Sequence, residues 1–140
     1  MLVRLVHKGA ARLRHMHFAA GQIVLDIQYE DRTHWKAHLG LDHAQDTQTF
    51  LDAMESLWQR RPAGRGRYRK VGIVLCDFEW VQNLTQPLFS DDRKRVQLAH
   101  AMDHINARFG RQRVYFAEMH ATRHCAPMRI AFNSVPDWDW

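Results

Sequence analysis

The sequence predicts an α+β domain: a mixed sheet of about four strands packed by two helices, with a third helix and a strand appended. Three observations carry this expectation. Apolar residues recur at helical spacing near residues 2–17, 46–60 and 90–110. Strict alternation marks residues 23–30 and 33–39 as strands with one buried face. The apolar, mostly β-branched run Val71 to Leu75 follows a turn rich in Arg and Gly, and reads as a buried strand.

In the first helix Leu2, Leu5, Val6, Gly9, Leu13 and Met16 form the apolar stripe, and Gly21 suits the left-handed position beyond its end. Ile23, Leu25, Ile27 and Tyr29 then face the core, and Glu30-Asp31-Arg32 makes a hairpin turn. In the returning strand Trp35, Ala37 and Leu39 share one face, while His34, Lys36 and His38 share the other. Asp46 or Thr47 caps the second helix, whose buried face is Phe50, Leu51, Met54, Leu57 and Trp58, and Pro62 stops it. Residues 77–89 lack a period and read as a loop. Ser90 is expected to cap the third helix, with Asp91 and Asp92 in the first turn where the helix dipole favours acids. Its buried stripe would be Leu98, Met102, Ile105 and Phe109, and Gly110 would end it. Val114–Ala117 and Met128–Phe132 read as short strands, and the acidic, aromatic tail from Pro136 to Trp140 as peripheral.

The 140 residues suffice for one well-formed core. No apolar run reaches the roughly 20 residues of a membrane span, no signal peptide is evident, and the expected location is the cytoplasm. Cys76 and Cys125 do not suggest a disulfide framework. The formal net charge is +5, and it is localised. Residues 1–70 carry twelve Lys and Arg against seven Asp and Glu, whereas residues 71–140 carry eight of each. Half of the basic residues in the first part lie between Arg60 and Lys70, where no acid intervenes. Such a run is an electrostatic footprint for a polyanion; the alternative is a solvated loop that aids solubility.

Three stretches, GQIVLDIQYEDRTHWKAHLGL, DTQTFLDAMESLWQRR and GRGRYRKVGIVLCDF, resemble the little-finger domain of Y-family translesion DNA polymerases over about residues 2–78. The continuation AMDHINARFGRQRVYFAEM resembles the C-terminal extension of polymerase V-type bacterial relatives. The resemblance implies a sheet lying along duplex DNA, holding phosphates without reading bases, in the service of translesion repair and the SOS response. It assigns DNA contacts to Arg69 and Lys70, the basic pair before Val71-Gly72, with Arg65 and Arg67 on the approach. His34, Lys36 and His38 would lie on the strand alongside. The division implied is a little-finger-like domain over 1–78 without the family's first strand, a linker over 79–90, and an extension over 91–140. A late strand would fill the vacant place. The polymerase palm with its metal-binding acids is not among these residues, so no catalytic residue, cofactor or polymerase activity is expected of this chain alone. DNA, the sliding clamp and a separate polymerase core are the partners implied.

Two further constellations bear on chemistry. Gln86-Pro87-Leu88-Phe89 is similar to the family's clamp-binding peptide, one residue short of its commonest form. The competing reading has Leu88 and Phe89 packing under the third helix as a hydrophobic staple. Ten histidines invite a metal site, from His100 and His104 with His120, His124 and Cys125. With no Glu between the first pair and no Cys-x-x-Cys, polar-face histidines are the expectation and no metal is assigned. Cys76, expected in a buried strand, is expected to be inert.

Overall fold

The structure, a computed structural model, describes residues 1–122. The expected strand at 128–132, the tail, His124 and Cys125 lie outside the described residues. In chain order the elements are α1 (Leu2–His15), β1 (Phe18–Tyr29), β2 (His34–Ala44), α2 (Thr47–Gln59), β3 (Tyr68–Trp80) and α3 (Ser90–Phe109), with short 3₁₀ turns at Val81–Asn83 and Ala117–Thr122. The α+β class is as the periodicities predict.

Among the described residues the sheet has three strands in the order β2-β1-β3, and both pairings are antiparallel rather than mixed. β1 takes the centre because both neighbours pair with it along most of its length. Its Ile23, Leu25, Ile27 and Tyr29 are buried against Val6, Ala10 and Leu13 of α1 and Phe50, Leu51, Met54 and Leu57 of α2. Both helices thus cover one face of the sheet, and among the described residues no element covers the other. At roughly 25 cal/mol per Å² of apolar area removed from water, this single layered contact is the main source of stability.

Asp46 caps α2 as its position suggests, accepting from the Thr49 backbone N–H and hydroxyl, each at 2.8 Å. In the hairpin, Asp31 accepts from the Thr33 backbone N–H at 2.9 Å and its hydroxyl at 2.6 Å. These bonds hold the Asp31 carboxyl below its usual pKa range, the Thr33 hydroxyl contributing most.

Several expectations need correction. Gly21 does not follow α1; it lies inside β1, and His17 holds the left-handed position at φ 60°. Gly21 is required for another reason. Asp77 from β3 and His43 from β2 meet above it, 3.5 Å apart, and a Cβ there would strike the Asp77 carboxylate. Ile23 and Ala20 both belong to the core, so the alternation slips across Gly21 and conceals the first half of β1 from a period count.

Among the described residues β3 is an edge strand rather than a buried one, and it runs to Trp80, past the point where the sequence reads as loop. Cys76 is accordingly only half-buried. Val114–Ala117 forms no strand. The Asn106 side chain accepts from the Arg113 and Val114 N–H groups and donates to the Val114 carbonyl at 2.9 Å. Val114 therefore has no backbone groups left for a ladder, and the sheet gains no strand from this segment.

Ser90 is the first residue of α3, not its cap; Phe89 holds that place without a side-chain bond. The stripe Leu98, Ile105 and Phe109 is exposed, Phe109 at 60%. α3 instead docks through Arg95, Ala99 and Asp103, one turn apart along a different face.

Candidate nucleic-acid interface

The cationic run begins where α2 ends. Gly64 and Gly66 sit at φ 78° and 77°, a left-handed geometry that L side chains rarely adopt, and this turns the chain back toward the sheet. Not every cation in the run faces outward. Arg61 lies over the Trp58 ring at 3.9 Å, donates to the Tyr68 hydroxyl at 2.9 Å and to the Trp58 carbonyl at 2.8 Å. Its charge is committed to joining α2 to β3.

Past the turn, Arg67 offers its carbonyl to the Glu30 N–H at 3.1 Å, and Arg65 lies near enough to Asp31 to favour its ionised form. Both therefore stand beside the β1–β2 hairpin. Gln28 pairs with Lys70 and Tyr29 with Tyr68, leaving Arg69 as the extra residue of a β-bulge. A bulge bends the strand and re-aims its side chain. All four basic residues, Arg65, Arg67, Arg69 and Lys70, are exposed.

The register decides what shares the open face. Directly paired residues project to the same side. Gln28 lies between His34 and Lys70, Asp26 between Lys36 and Gly72, and Val24 between His38 and Val74. His34, Lys36, His38 and Lys70 are exposed, and Trp35, Ala37 and Leu39 pack toward the core instead. The predicted contacts on β2 and Lys70 on β3 therefore occupy one surface, while Arg65, Arg67 and Arg69 rim its hairpin end.

Two features of this surface escape a sequence reading. Gly40 and Gly72 also belong to it, and a Cβ at either would meet nothing within 4 Å. The fold does not require glycine at either place, and their effect is a flat surface. Asp26 stands among the cations, 3.9 Å from His34 Nδ1, and opposes any phosphate in the middle of the face. Its position on the polar side was plain from alternation, but its neighbours depend on the register.

Gln86, Leu88 and Phe89 lie in the connection just ahead of α3. Leu88 is 88% exposed and Phe89 73%, so the hydrophobic staple expected as their alternative role is absent. His100 and His104 are exposed on α3, and no three His, Cys, Asp or Glu side chains converge as a metal site among the described residues. No described helix is long and apolar enough to cross a membrane.

The sequence reading missed Arg14. It is 6% exposed, and its guanidinium reaches Asp103 from Nε at 2.6 Å and from a terminal nitrogen at 2.8 Å. It also donates to the Gln45 carbonyl at 2.8 Å and the Thr47 hydroxyl at 3.1 Å. One side chain thus ties α1, the start of α2 and α3 together. Its partner Asp103 lies 89 positions later in the chain, and no local pattern joins the two.

Fold and surface together define a small α+β domain that covers one face of an antiparallel sheet and offers a cationic, flattened other face. The model of the impB/mucB/samB family C-terminal domain matches residues 1–88, and the chain belongs to this family. It contains the C-terminal part of a Y-family polymerase, which sets it in the context of translesion synthesis. No curated protein and no solved structure matches it.

Proposed function

We propose that the open sheet face holds duplex or primer–template DNA, damaged DNA included, through its phosphates and without regard to sequence. The observation that carries this reading is the register, which aligns His34, Lys36 and His38 of β2 with the row begun by Lys70 on β3. The two rows are separated by two strand spacings, about 10 Å, close to the roughly 12 Å width of a DNA major groove. Gly40 and Gly72 leave room for a sugar–phosphate backbone to approach. Lys70, Arg69, Arg67 and Arg65 supply charge at one end. The polymerase core, which would perform the chemistry, lies outside this sequence, and the module acts in the cytoplasm. Residues 1–78 form the binding domain, 79–90 the connection, and 91–140 the extension.

Reversing two charges tests the reading. The variant Arg69→Glu/Lys70→Glu is expected to bind a primer–template duplex at low salt at least about tenfold more weakly, given that each strong phosphate contact contributes severalfold. Anisotropy of a labelled duplex measures it. Equal affinity of variant and parent would remove the sheet face from the interface.

A second reading has its own observation. The exposure of Leu88 and Phe89 beside Gln86 is what a peptide motif needs to enter an apolar pocket on the sliding clamp. Phe89→Ala is expected to lower clamp affinity by about tenfold or more while leaving DNA binding and Tm unchanged. Retained clamp binding would remove Phe89 from the clamp contact, and a fall in Tm would show that it serves the fold instead.

A further inference from the structure

The two edges of the sheet are unlike. On β2 the exposed side chains include His34, Lys36, His38 and Asp42, ionisable groups that discourage another strand from pairing. β3 lacks this protection. From Val71 to Cys76 it carries no charge and no proline, and among the described residues β1 alone pairs with it. The large apolar side chains left exposed on the described sheet all belong to β3: Tyr68 at 45%, Val74 at 50%, Phe78 at 53% and Trp80 at 47%. The edge is also long, 13 residues, against about five or six in an ordinary strand.

Charge along β3 suits a partner strand of the same sequence running the opposite way. Arg69 and Lys70 stand near its start, Asp77 and Glu79 near its end, with the neutral stretch between them. Val74 is the central residue of the strand from Tyr68 to Trp80. Antiparallel pairing of two copies about Val74 sets Arg69 opposite Glu79 and Tyr68 opposite Trp80, each twice by symmetry. It also sets Gly72 opposite Cys76, Ile73 opposite Leu75, and Val74 opposite its own counterpart. Tyr68 already packs on Tyr29 and Trp58, and Trp80 on Phe18, so the new aromatic pairs extend layers that the fold contains. A parallel copy in register would instead bring Arg69, Lys70, Asp77 and Glu79 each beside its own like charge.

We propose that β3 pairs with β3 of a second copy of this chain, joining two three-stranded sheets about a two-fold axis normal to them. Such an axis preserves the faces: α1 and α2 of both copies lie on one side, and the two open faces meet on the other. The pairing needs no DNA and does not rest on the phosphate-binding reading. Under that reading, the dimer would present Lys36 and Lys70 of both copies on one continuous surface.

The test follows the oligomeric state of the full chain, without nucleic acid, by sedimentation velocity from low to high micromolar concentration. The parent is expected to be a dimer at the upper end and to dissociate on dilution. Arg69→Glu and Glu79→Arg each set like charges opposite one another, and each should raise the dissociation constant by about tenfold or more. The double variant Arg69→Glu/Glu79→Arg should return it close to the parent value. Val74→Lys places two ammonium groups together on the axis and should abolish the dimer, with a far-UV circular dichroism spectrum like the parent's. A chain that stays monomeric at high micromolar concentration overturns the proposal. So does a dimer indifferent to Val74→Lys, or a double charge swap no better than the single ones. Monomers whose β3 amides are all protected from exchange would assign the edge to another strand, and equally overturn it.

Discussion

Arg14 and His7 lie two turns apart on α1 and show how burial makes neighbouring polar residues do opposite things. Arg14 is buried with four hydrogen bonds in place of its lost water. Removing it strands a partly covered carboxylate, a carbonyl and a hydroxyl. Arg14→Met should therefore cost about 3 kcal/mol, the lower end of what breaking a buried ion pair costs. The loss should fall first on α3, read as faster amide exchange there than in β1. Uniform exchange across both elements would show that Arg14 does not hold α3 in place. His7 instead stays neutral, its pKa lowered to about 4 by burial first and Arg14 second. The unfolded chain then binds more protons than the native one between pH 4 and the ordinary imidazole value of 6.5. The resulting stabilisation is complete above pH 6.5 and is lost as pH falls toward 4. Melting scans should show Tm falling by a few degrees over that window, and His7→Phe should flatten the fall. A slope unchanged in the variant would assign it to other groups. Neither role was legible in sequence. Arg14 is one of several cations on α1, and its partner Asp103 arrives only 89 positions later.

At the scale of elements, alternation and capping transferred well where a single face was buried. Ile23 to Tyr29, Trp35 to Leu39, the Asp46 cap and the α2 stripe all follow from local pattern because the sheet has a covered side and an open side. Pattern failed where a side chain replaced a ladder or an element met only one neighbour. Asn106 takes the backbone bonds of Val114 and prevents the strand that Val114, Tyr115 and their neighbours suggest. The stripe on α3 has strong helical spacing, yet Arg95–Asp52 and Arg14–Asp103 fix the helix by a different face. Leu98, Ile105 and Phe109 are left outward. β3 looked buried because Val71 to Leu75 is apolar; it is an edge because β1 pairs on both sides. Its bulge at Arg69 is also invisible locally, since two-against-one pairing requires the partner strand to be seen.

For the whole molecule, one asymmetry organises the rest: two helices cover one sheet face, and Lys36, Lys70 and the cations from Arg65 to Arg69 stand on or beside the other. The sign and location of that charge are plain from the sequence, and the resemblance implies a use for it. The register adds that His34, Lys36, His38 and Lys70 share one surface, with Asp26 among them and Gly40 and Gly72 keeping it flat. If this surface holds phosphates, binding is an ion-exchange process whose salt dependence reports how many phosphates are neutralised. The decisive measurement is the slope of log affinity against log salt for a primer–template duplex, taken for the parent chain and for Arg69→Ala/Lys70→Ala. The account predicts a steep negative slope independent of duplex sequence, shallower in the variant by about 0.9 for each phosphate that Arg69 and Lys70 no longer neutralise. An unchanged slope in the variant, or an affinity that follows base sequence, would contradict it.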